Sequence, residues 1–316
     1  MTISFPAFRS RNYRLYFAGQ SISLIGTWMT RVATSWLVYR LTDSAFLLGV
    51  VGFLGQIPAL FLSPLAGVWV DRWDRHRAMV ITQAMAMVQS LALAVLTLTH
   101  TINMPWILVL TFLQGVINTF ETPARQSFVV QMIEDRADLS NAIALNSSIV
   151  NAGRLVGPAI AGIVIAWVGE GYCFLIDGVS YIAVIYSLLA MKNLLPGLRN
   201  PPRHIGHELA EGWRYIISSP AIRWILLMLG LVSLIGMPFT VLMPIIADKV
   251  LGGGAHTLGF LTAATGLGAL ACAVALAMRG SVRGLGKWLG IAAAILGVSL
   301  ILFGLSRSFW WSSWSL

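Results

Sequence analysis

Nine apolar runs, each long enough to cross a membrane, account for most of the chain. A transmembrane helix needs about 20 predominantly apolar residues. The runs cover residues 15–38, 45–70, 78–98, 105–124, 142–167, 172–191, 222–246, 257–278 and 289–305. Each run is continuously apolar and does not alternate with a period of two, which is typical of membrane helices and not of barrel strands. The pattern therefore predicts an all-α integral membrane protein.

The composition agrees with this prediction. Of the 316 residues, 57% are hydrophobic and 10% are charged, and the mean hydropathy is +0.79. Soluble domains are roughly 25% charged. No small-residue cleavage site follows the first run, so we expect that run to stay in the mature protein as a span. Cys173 and Cys272 both lie within apolar runs, where no disulfide is expected.

Most of the 21 lysines and arginines fall on one side of the predicted membrane. They occupy the N-terminus, the loops after the second, fourth and eighth runs, and the linker after the sixth. The other side holds Arg40, Lys249 and Arg307. Because cytoplasmic loops are rich in lysine and arginine, we expect a cytoplasmic N-terminus and a location in the inner membrane of the cell. This topology explains the net charge of +9 and excludes a nucleic-acid partner, leaving the lipid bilayer as the surrounding partner.

A linker rich in helix breakers divides the chain. It opens with LLPGLRNPPR and continues as HIGHELAEGWRYIISSP, in which apolar residues recur at helical spacing. We expect a six-helix half at residues 1–191, a cytoplasmic linker with an amphipathic helix at 192–221, and a partial second half of three spans at 222–316.

The linker also brings together four residues of metal-ligating type, His204, His207, Glu208 and Glu211. Their order matches no zinc pattern, so we expect a solvated helix face there. The sequence predicts no metal and no cofactor.

The loop between the second and third runs carries an ordered set of charges. The stretch GVWVDRWDRHR places Gly67 four residues before Asp71 and Arg72, and Arg75 and Arg77 follow. Such a loop is in part a topology signal. In addition, a glycine lets a neighbouring helix approach closely, and a carboxylate at the end of a span can accept hydrogen bonds from another helix.

This loop resembles the loop 2–3 signature of the major facilitator superfamily of transporters. Two positions depart from that signature: Asp74 stands where glycine is usual, and His76 takes a usually basic position. In the superfamily this constellation latches the cytoplasmic gate. The resemblance therefore implies a gate role for five residues of the loop: Gly67, Asp71, Arg72, Arg75 and Arg77.

A second motif lies in the fifth run. GRLVGPAIAG places Gly153, Gly157, Pro158 and Gly162 at the positions of the superfamily's antiporter signature, with Ala161 replacing one glycine. Glycines spaced by four are by themselves a helix-packing face. Longer stretches such as TPARQSFVVQMI and LGFLTAATGLGAL resemble the branch that contains enterobactin exporters. This resemblance implies a fold of twelve spans in two six-helix halves that rock around a central site.

Three ionisable residues fall inside the runs, where charge is costly and often functional. Arg154, Arg31 and Asp177 are candidates for binding the substrate or the proton. Each has a plainer alternative. Arg154 would form a buried structural pair, Arg31 would extend to the outer interface, and Asp177 would be an interfacial acid at a helix start.

Glu121 and Arg125 are spaced for an ion pair within one helix, at the end of the fourth run. In the superfamily this end faces the loop 2–3 latch. A contact of Asp71 with Arg125, or of Arg72 with Glu121, is therefore our hypothesis for locking the gate.

The resemblance implies a secondary active transporter that exports a small amphipathic or anionic molecule in exchange for protons. The sequence contains no GxxxxGK[ST] loop for ATP. Two alternatives remain. The chain ends in SRSFWWSSWSL after nine of twelve expected spans, which favours a truncated, inactive product. A membrane-embedded sensor or enzyme has less support, because HExxH and clustered carboxylates are absent from the sequence.

Overall fold

The computed structural model describes residues 5–192, 194, 211, 214–236, 238–277 and 285–305. Every regular element in these ranges is helical. The main helices are α1 (Arg11–Thr42), α2 (Ala45–Arg72), α3 (Arg75–Leu98), α4 (Met104–Met132), α5 (Leu139–Val168), α6 (Glu170–Leu189), α7 (Pro220–Gly236), α8 (Pro238–Ile245), α9 (Ala255–Ala277) and α10 (Leu285–Leu305). A π-helical segment, Ile246–Val250, follows α8, and 3₁₀ turns occupy Pro6–Arg9 and Arg136–Asp138. The predicted all-α membrane fold is confirmed.

Seven helical segments of the described chain are long and apolar enough to cross a membrane. They correspond to the second through eighth predicted runs. The segment of the seventh run consists of α7, α8 and the π-helical segment. The last run is a shorter apolar helix in the described part, Gly290–Phe303. α1 is 32 residues long but less apolar than the others, because it packs on protein instead of lipid. Most of the predicted linker helix, with His204, His207 and Glu208, lies outside the described residues.

Short polar caps begin several helices. The Ser44 side chain accepts a hydrogen bond from the backbone N–H of Leu47, and Asn103 caps α4 in the same way through Trp106. Asp74 accepts from the backbone N–H groups of His76 and Arg77, at 2.9 and 3.2 Å. The aspartate that departs from the superfamily's signature is therefore the N-cap of α3.

We expect the Asp74→Ala variant to lose about 1 kcal/mol of stability, because two N–H groups at the start of α3 lose their acceptor. Asp74→Asn should stay close to wild type, since asparagine caps as well as aspartate. The unfolding midpoint in mixed detergent micelles measures both. Equal midpoints for the two variants would contradict the capping role.

The helices pack around α1, which contacts α5 and α6 along its length. α3 packs on α6, α2 on α4, and α9 on α5. A buried cluster at the end that carries the α2–α3 turn includes Tyr13, Phe128 and Leu188. A larger cluster extends to the opposite end, the α1–α2 end, and joins Leu37 of α1 to Leu258 of α9. The contact between α5 and α9 thus links the first six helices to the later ones.

Candidate functional site

A cavity of about 450 Å³ lies between α1, α2, α3 and α4, with one lining residue each from α5 and α6. Its wall is polar for a site inside membrane spans. Side-chain amides from all four helices line it, among them Gln20, Gln56, Gln83, Gln114 and Asn118. Polar residues within spans usually face a solute path or a partner, so this cavity is the candidate site for a polar ligand.

Two of these amides have an unused acceptor. Gln20 and Gln83 are each 3% exposed, and the Oε1 atom of each has no hydrogen-bond partner among the described residues. Gln114, in contrast, donates from Nε2 to Asn118 Oδ1 at 3.0 Å. A buried acceptor without a partner costs about 1–3 kcal/mol. The two free oxygens are therefore placed to accept hydrogen bonds from a ligand or from water.

Both arginines inside the spans meet at Trp28. The Cζ atom of Arg31 lies 4.6 Å from the Trp28 ring centroid, and that of Arg154 lies 5.8 Å from it. Arg31 and Trp28 line the cavity, whereas Arg154 approaches the same ring from α5. Within the described part of the chain, neither guanidinium lies within ion-pair distance of a carboxylate. Positive charge at this wall is thus held by an aromatic face.

The contacts of the two guanidinium groups with Trp28 decide between the alternatives that the sequence left open for Arg31 and Arg154. Arg31 is directed to the cavity and not to the outer interface. Arg154 forms no buried ion pair in the described residues and contacts the ring of Trp28. Trp28 itself was missed by the sequence analysis. Its position three residues before Arg31, on the same helical face, was the available signal.

The antiporter-like motif packs α5 between two helices. A Cβ atom added at Gly157 would lie 2.5 Å from Trp28 Cβ, and one at Gly153 would lie 3.2 Å from the ring of the same residue. At Gly162, an added Cβ would lie 3.0 Å from Gly259 Cα of α9. The first two glycines of the motif therefore fit against α1, and the last fits against α9. Gly153 and Gly157 thereby fix the position of Trp28.

Glu121 and Arg125 form the predicted ion pair within α4, with Oε1 and Nε 3.0 Å apart. Their side chains are only 14% and 17% exposed, and both line the cavity. Asp71 and Arg72 end α2, but their side chains lie outside the described residues. The locking contact between the α2–α3 loop and this pair therefore stays a prediction.

The α2–α3 turn corrects one expectation. A Cβ atom added at Gly67 would meet nothing within 4 Å, so the close helix contact expected there is absent from the described residues. The turn is held instead by His76, whose Nε2 lies 2.8 Å from the carbonyl oxygen of Leu188 on α6. Arg77 is exposed, as a residue of a headgroup layer would be.

Asp177 lies in the interior and not at the membrane interface. It is 2% exposed, and its Oδ2 accepts hydrogen bonds from Thr30 and Ser90, each at 2.9 Å. The acid at the start of α6 is Glu170, which accepts a hydrogen bond from Arg40 Nε at 2.8 Å. The interfacial alternative for Asp177 is therefore wrong, because Glu170 takes that place and α1 and α3 cover Asp177.

Two contacts at the α1–α2 end join α1 and its C-cap to the π-helical segment, and we call them the α1–π clasp. Tyr39 donates to Asp248 Oδ2 at 2.6 Å, and Lys249 Nζ lies 2.7 Å from Asp43 Oδ1. The sequence analysis used Lys249 only for topology and missed the pairing. The clasp closes the α1–α2 end between the first six helices and the later ones.

Membrane-length helices around a polar cavity, closed at one end, are typical of membrane transporters. A solved bacterial homologue of the human lysosomal transporter Spinster, inward-facing and occupied, has a TM-score of 0.71 at 16% identity and covers 99% of this chain and 71% of its own. A POT family transporter in complex with a thioalcohol-conjugated peptide has a TM-score of 0.64 at 13% identity and covers 96% and 80%. At this identity the likeness concerns the fold.

The chain belongs to the transmembrane secretion effector family, whose family model matches residues 2–316. It is 25% identical over 298 residues to a staphyloferrin A transporter of Staphylococcus aureus, covering 91% of this chain and 72% of the relative. An enterobactin exporter of Escherichia coli is 27% identical over 307 residues, covering 95% and 70%. Macrolide efflux protein A of Streptococcus pyogenes is 22% identical over 302 residues, covering 93% and 74%.

These relatives confirm the predicted superfamily and place the chain among transporters and not enzymes. The sensor-or-enzyme alternative is therefore set aside. The chain spans 70–74% of the length of these three relatives.

Proposed function

We propose that the protein exports an anionic, partly aromatic small molecule from the cell, by alternating access and in exchange for protons. The observation that carries the proposal is the cavity wall formed by Arg31 and Trp28, backed by Arg154. Two guanidinium groups without a carboxylate partner in the described chain attract an anion, and the indole presents a face to a flat ring. The free oxygens of Gln20 and Gln83 accept from the ligand's hydroxyl or amide groups.

The relatives support the direction and the kind of cargo. Their names describe a staphyloferrin A transporter, an enterobactin exporter and a macrolide efflux protein. Siderophore-like and drug-like molecules combine polar groups with apolar bodies, and the mixed wall of the cavity suits both. Outward transport is therefore the direction that we propose for this chain.

The closed α1–α2 end supports alternating access. The α1–π clasp seals that end, while the cavity reaches Thr122 and Gln126 on the turn of α4 beyond Glu121. With the arginine-rich α2–α3 turn in the cytoplasm, this arrangement corresponds to an inward-facing state. Export then requires the clasp to open while the α2–α3 end closes. The gate residues Gly67, Asp71, Arg72, Arg75 and Arg77 and the pair Glu121–Arg125 are proposed to act in that closure.

Arg31→Gln should weaken binding of naphthalene-2-sulfonate roughly 10-fold or more, because one charge-assisted contact is lost. Naphthalene-2-sulfonamide, the neutral probe of similar shape, should bind the variant and the wild type equally. Isothermal titration of the full chain in lipid nanodiscs measures both affinities. Arg14→Gln, which removes an exposed arginine from the same helix, is the control.

The proposal is tested for transport with the same probe in inside-out vesicles that carry an imposed pH gradient. Accumulation of the sulfonate that collapses with the gradient supports proton-coupled export. Equal loss of sulfonate and sulfonamide binding in the Arg31 variant would contradict the anion site, as would unchanged binding of both.

A further inference from the structure

Asp177 is a carboxyl group enclosed by three helices. Its Oδ2 lies 2.9 Å from Thr30 Oγ1 on α1 and 2.9 Å from Ser90 Oγ on α3. Its Oδ1 is buried and has no hydrogen-bond partner among the described residues. Gly26 of α1 closes the site, since a Cβ atom there would lie 2.8 Å from Oδ1. This oxygen is therefore shut off from solvent while α1 and α6 are packed.

The hydrogen-bond count around the group fits a neutral carboxylic acid. Ser90 Oγ also lies 3.1 Å from the carbonyl oxygen of Phe174, yet a hydroxyl has only one proton to donate. If Asp177 is protonated, its O–H donates to Ser90 Oγ and Ser90 donates to Phe174. Thr30 still donates to the carboxyl group, so each donor then has one acceptor.

An ionised carboxylate fits this place poorly. It would have two hydroxyl donors for four lone-pair positions and no cation at hydrogen-bond distance in the described chain, and burying such a charge costs several kcal/mol. α6 contributes the titratable groups Cys173 and Tyr181 to its surroundings. α1 and α3 contribute hydroxyls and glycine, and the nearest cation of α1 along the chain, Arg31, is turned to Trp28.

The site is one helical turn from the cavity. Tyr181, four residues after Asp177 on α6, has its hydroxyl 3.3 Å from Thr27 Oγ1 on α1. Thr27 and Tyr181 both line the cavity, whereas Asp177 and Thr30 form the next contact between the same two helices. Separation of α1 from α6 at Thr27 would therefore admit cavity water to the carboxyl group.

We propose that Asp177 is the residue that carries the coupling proton. It holds the proton while α1 and α6 are packed. When they separate at Thr27 and Tyr181, the carboxyl O–H bond breaks, a water molecule of the cavity takes the proton, and Thr30 and Ser90 donate to the carboxylate that remains. The assignment rests on the proposed proton-coupled export, because it names the site of that coupling.

The first test measures the protonation state of the Asp177 carboxyl group and needs no transported substrate. Infrared difference spectra of the full chain in lipid nanodiscs at neutral pH should contain the C=O stretch of a neutral carboxylic acid, shifted by deuterium exchange. Asp177→Asn should lose this band, and Glu170→Gln should keep it, since Glu170 is the ion-paired acid of the same helix. Absence of the band in the wild type, or its survival in Asp177→Asn, overturns the proposal.

Asp177→Asn is expected to fold, because an amide is uncharged and has the shape of the carboxylic acid, and its oxygen in the Oδ2 position can accept from both Thr30 and Ser90. If Asp177→Asn does not fold, Ser90→Ala gives an independent test of the same carboxyl group. This variant leaves the carboxyl group in place and removes one partner, so the band should persist at a changed frequency. An unchanged frequency would contradict the assigned hydrogen bond.

Vesicle transport separates the two proposals. Asp177→Asn should still exchange naphthalene-2-sulfonate across the membrane at equilibrium and lose accumulation driven by the pH gradient. Equal gradient-driven accumulation by wild type and variant would refute Asp177 as the coupling site and leave the proposed export intact. If the wild type moves no sulfonate while the band behaves as described, the proposed export fails and the coupling role fails with it, and only the protonated state of Asp177 stands.

Discussion

Arg125→Gln is expected to destabilise the protein by about 3–5 kcal/mol, because Glu121 is then left as an unpaired charge in a mostly buried position. Glu121→Gln should have a similar effect through the guanidinium that it leaves behind. The double variant should recover most of the loss, since two glutamines form a neutral hydrogen-bonded pair. SDS titration of the detergent-solubilised protein, followed by circular dichroism, gives the unfolding midpoints of all three variants.

The α1–π clasp supplies a matched control for this pair. Lys249 and Asp43 are similarly close, at 2.7 Å, but their side chains are 51% and 64% exposed. An exposed pair contributes about 0–1 kcal/mol, so Lys249→Gln should shift the midpoint little. If the double variant in α4 is as unstable as either single variant, the loss comes from packing and not from an uncompensated charge.

Gly157→Ala is expected to damage both packing and ligand binding. The new Cβ atom would lie 2.5 Å from Trp28 Cβ and 2.8 Å from the backbone oxygen of Ile25, so α1 and α5 must separate. Overpacking of this kind costs about 1–3 kcal/mol. Because Trp28 moves with α1, the affinity for naphthalene-2-sulfonate should fall together with the unfolding midpoint.

Gly49→Ala is the control, because a Cβ atom at that position meets nothing within 4 Å. Alanine is the better helix former by about 1 kcal/mol, so this variant should be as stable as the wild type or more so. Thermal unfolding and the titration with the sulfonate probe compare the two variants directly. Unchanged sulfonate affinity in Gly157→Ala would show that Trp28 does not depend on this contact.

The positions of seven of the nine predicted spans were predictable because hydrophobic length is a local property of the chain. The runs predicted at 45–70, 78–98 and 105–124 fall within α2, α3 and α4. The Glu121–Arg125 pair was predictable for the same reason, since residues four apart on a helix are neighbours. Such features need no knowledge of what packs against them.

The parts of the site that depend on helix rotation and partner choice were not predictable. Asp177 was assigned to an interface from its depth in the sixth run, and α1 and α3 bury it. Gly67 was expected to receive a neighbouring helix and faces open space, whereas Gly26, outside both motifs, packs against Asp177. One sequence does not record which face of one helix meets which face of another.

The assignment of Trp28 and the α1–π clasp required the fold for a second reason. Asp43 and Lys249 are separated by more than half the chain, and their attraction is visible only when α1 and the π-helical segment meet. Trp28 is an ordinary aromatic residue until Gly153 and Gly157 bring α5 against it. Both features come from contacts between helices that are distant in sequence.

The modest hydrophobicity of α1 has a consequence for biosynthesis. α1 is synthesised before α2–α6, yet it is less apolar than those helices and is stabilised by packing on α5 and α6. Chains elongate at about 5–20 residues per second, so on the order of 10 s pass before Leu189 completes α6. During that interval the insertion machinery must shelter α1, and its final position in the bilayer is settled only when its later partners arrive.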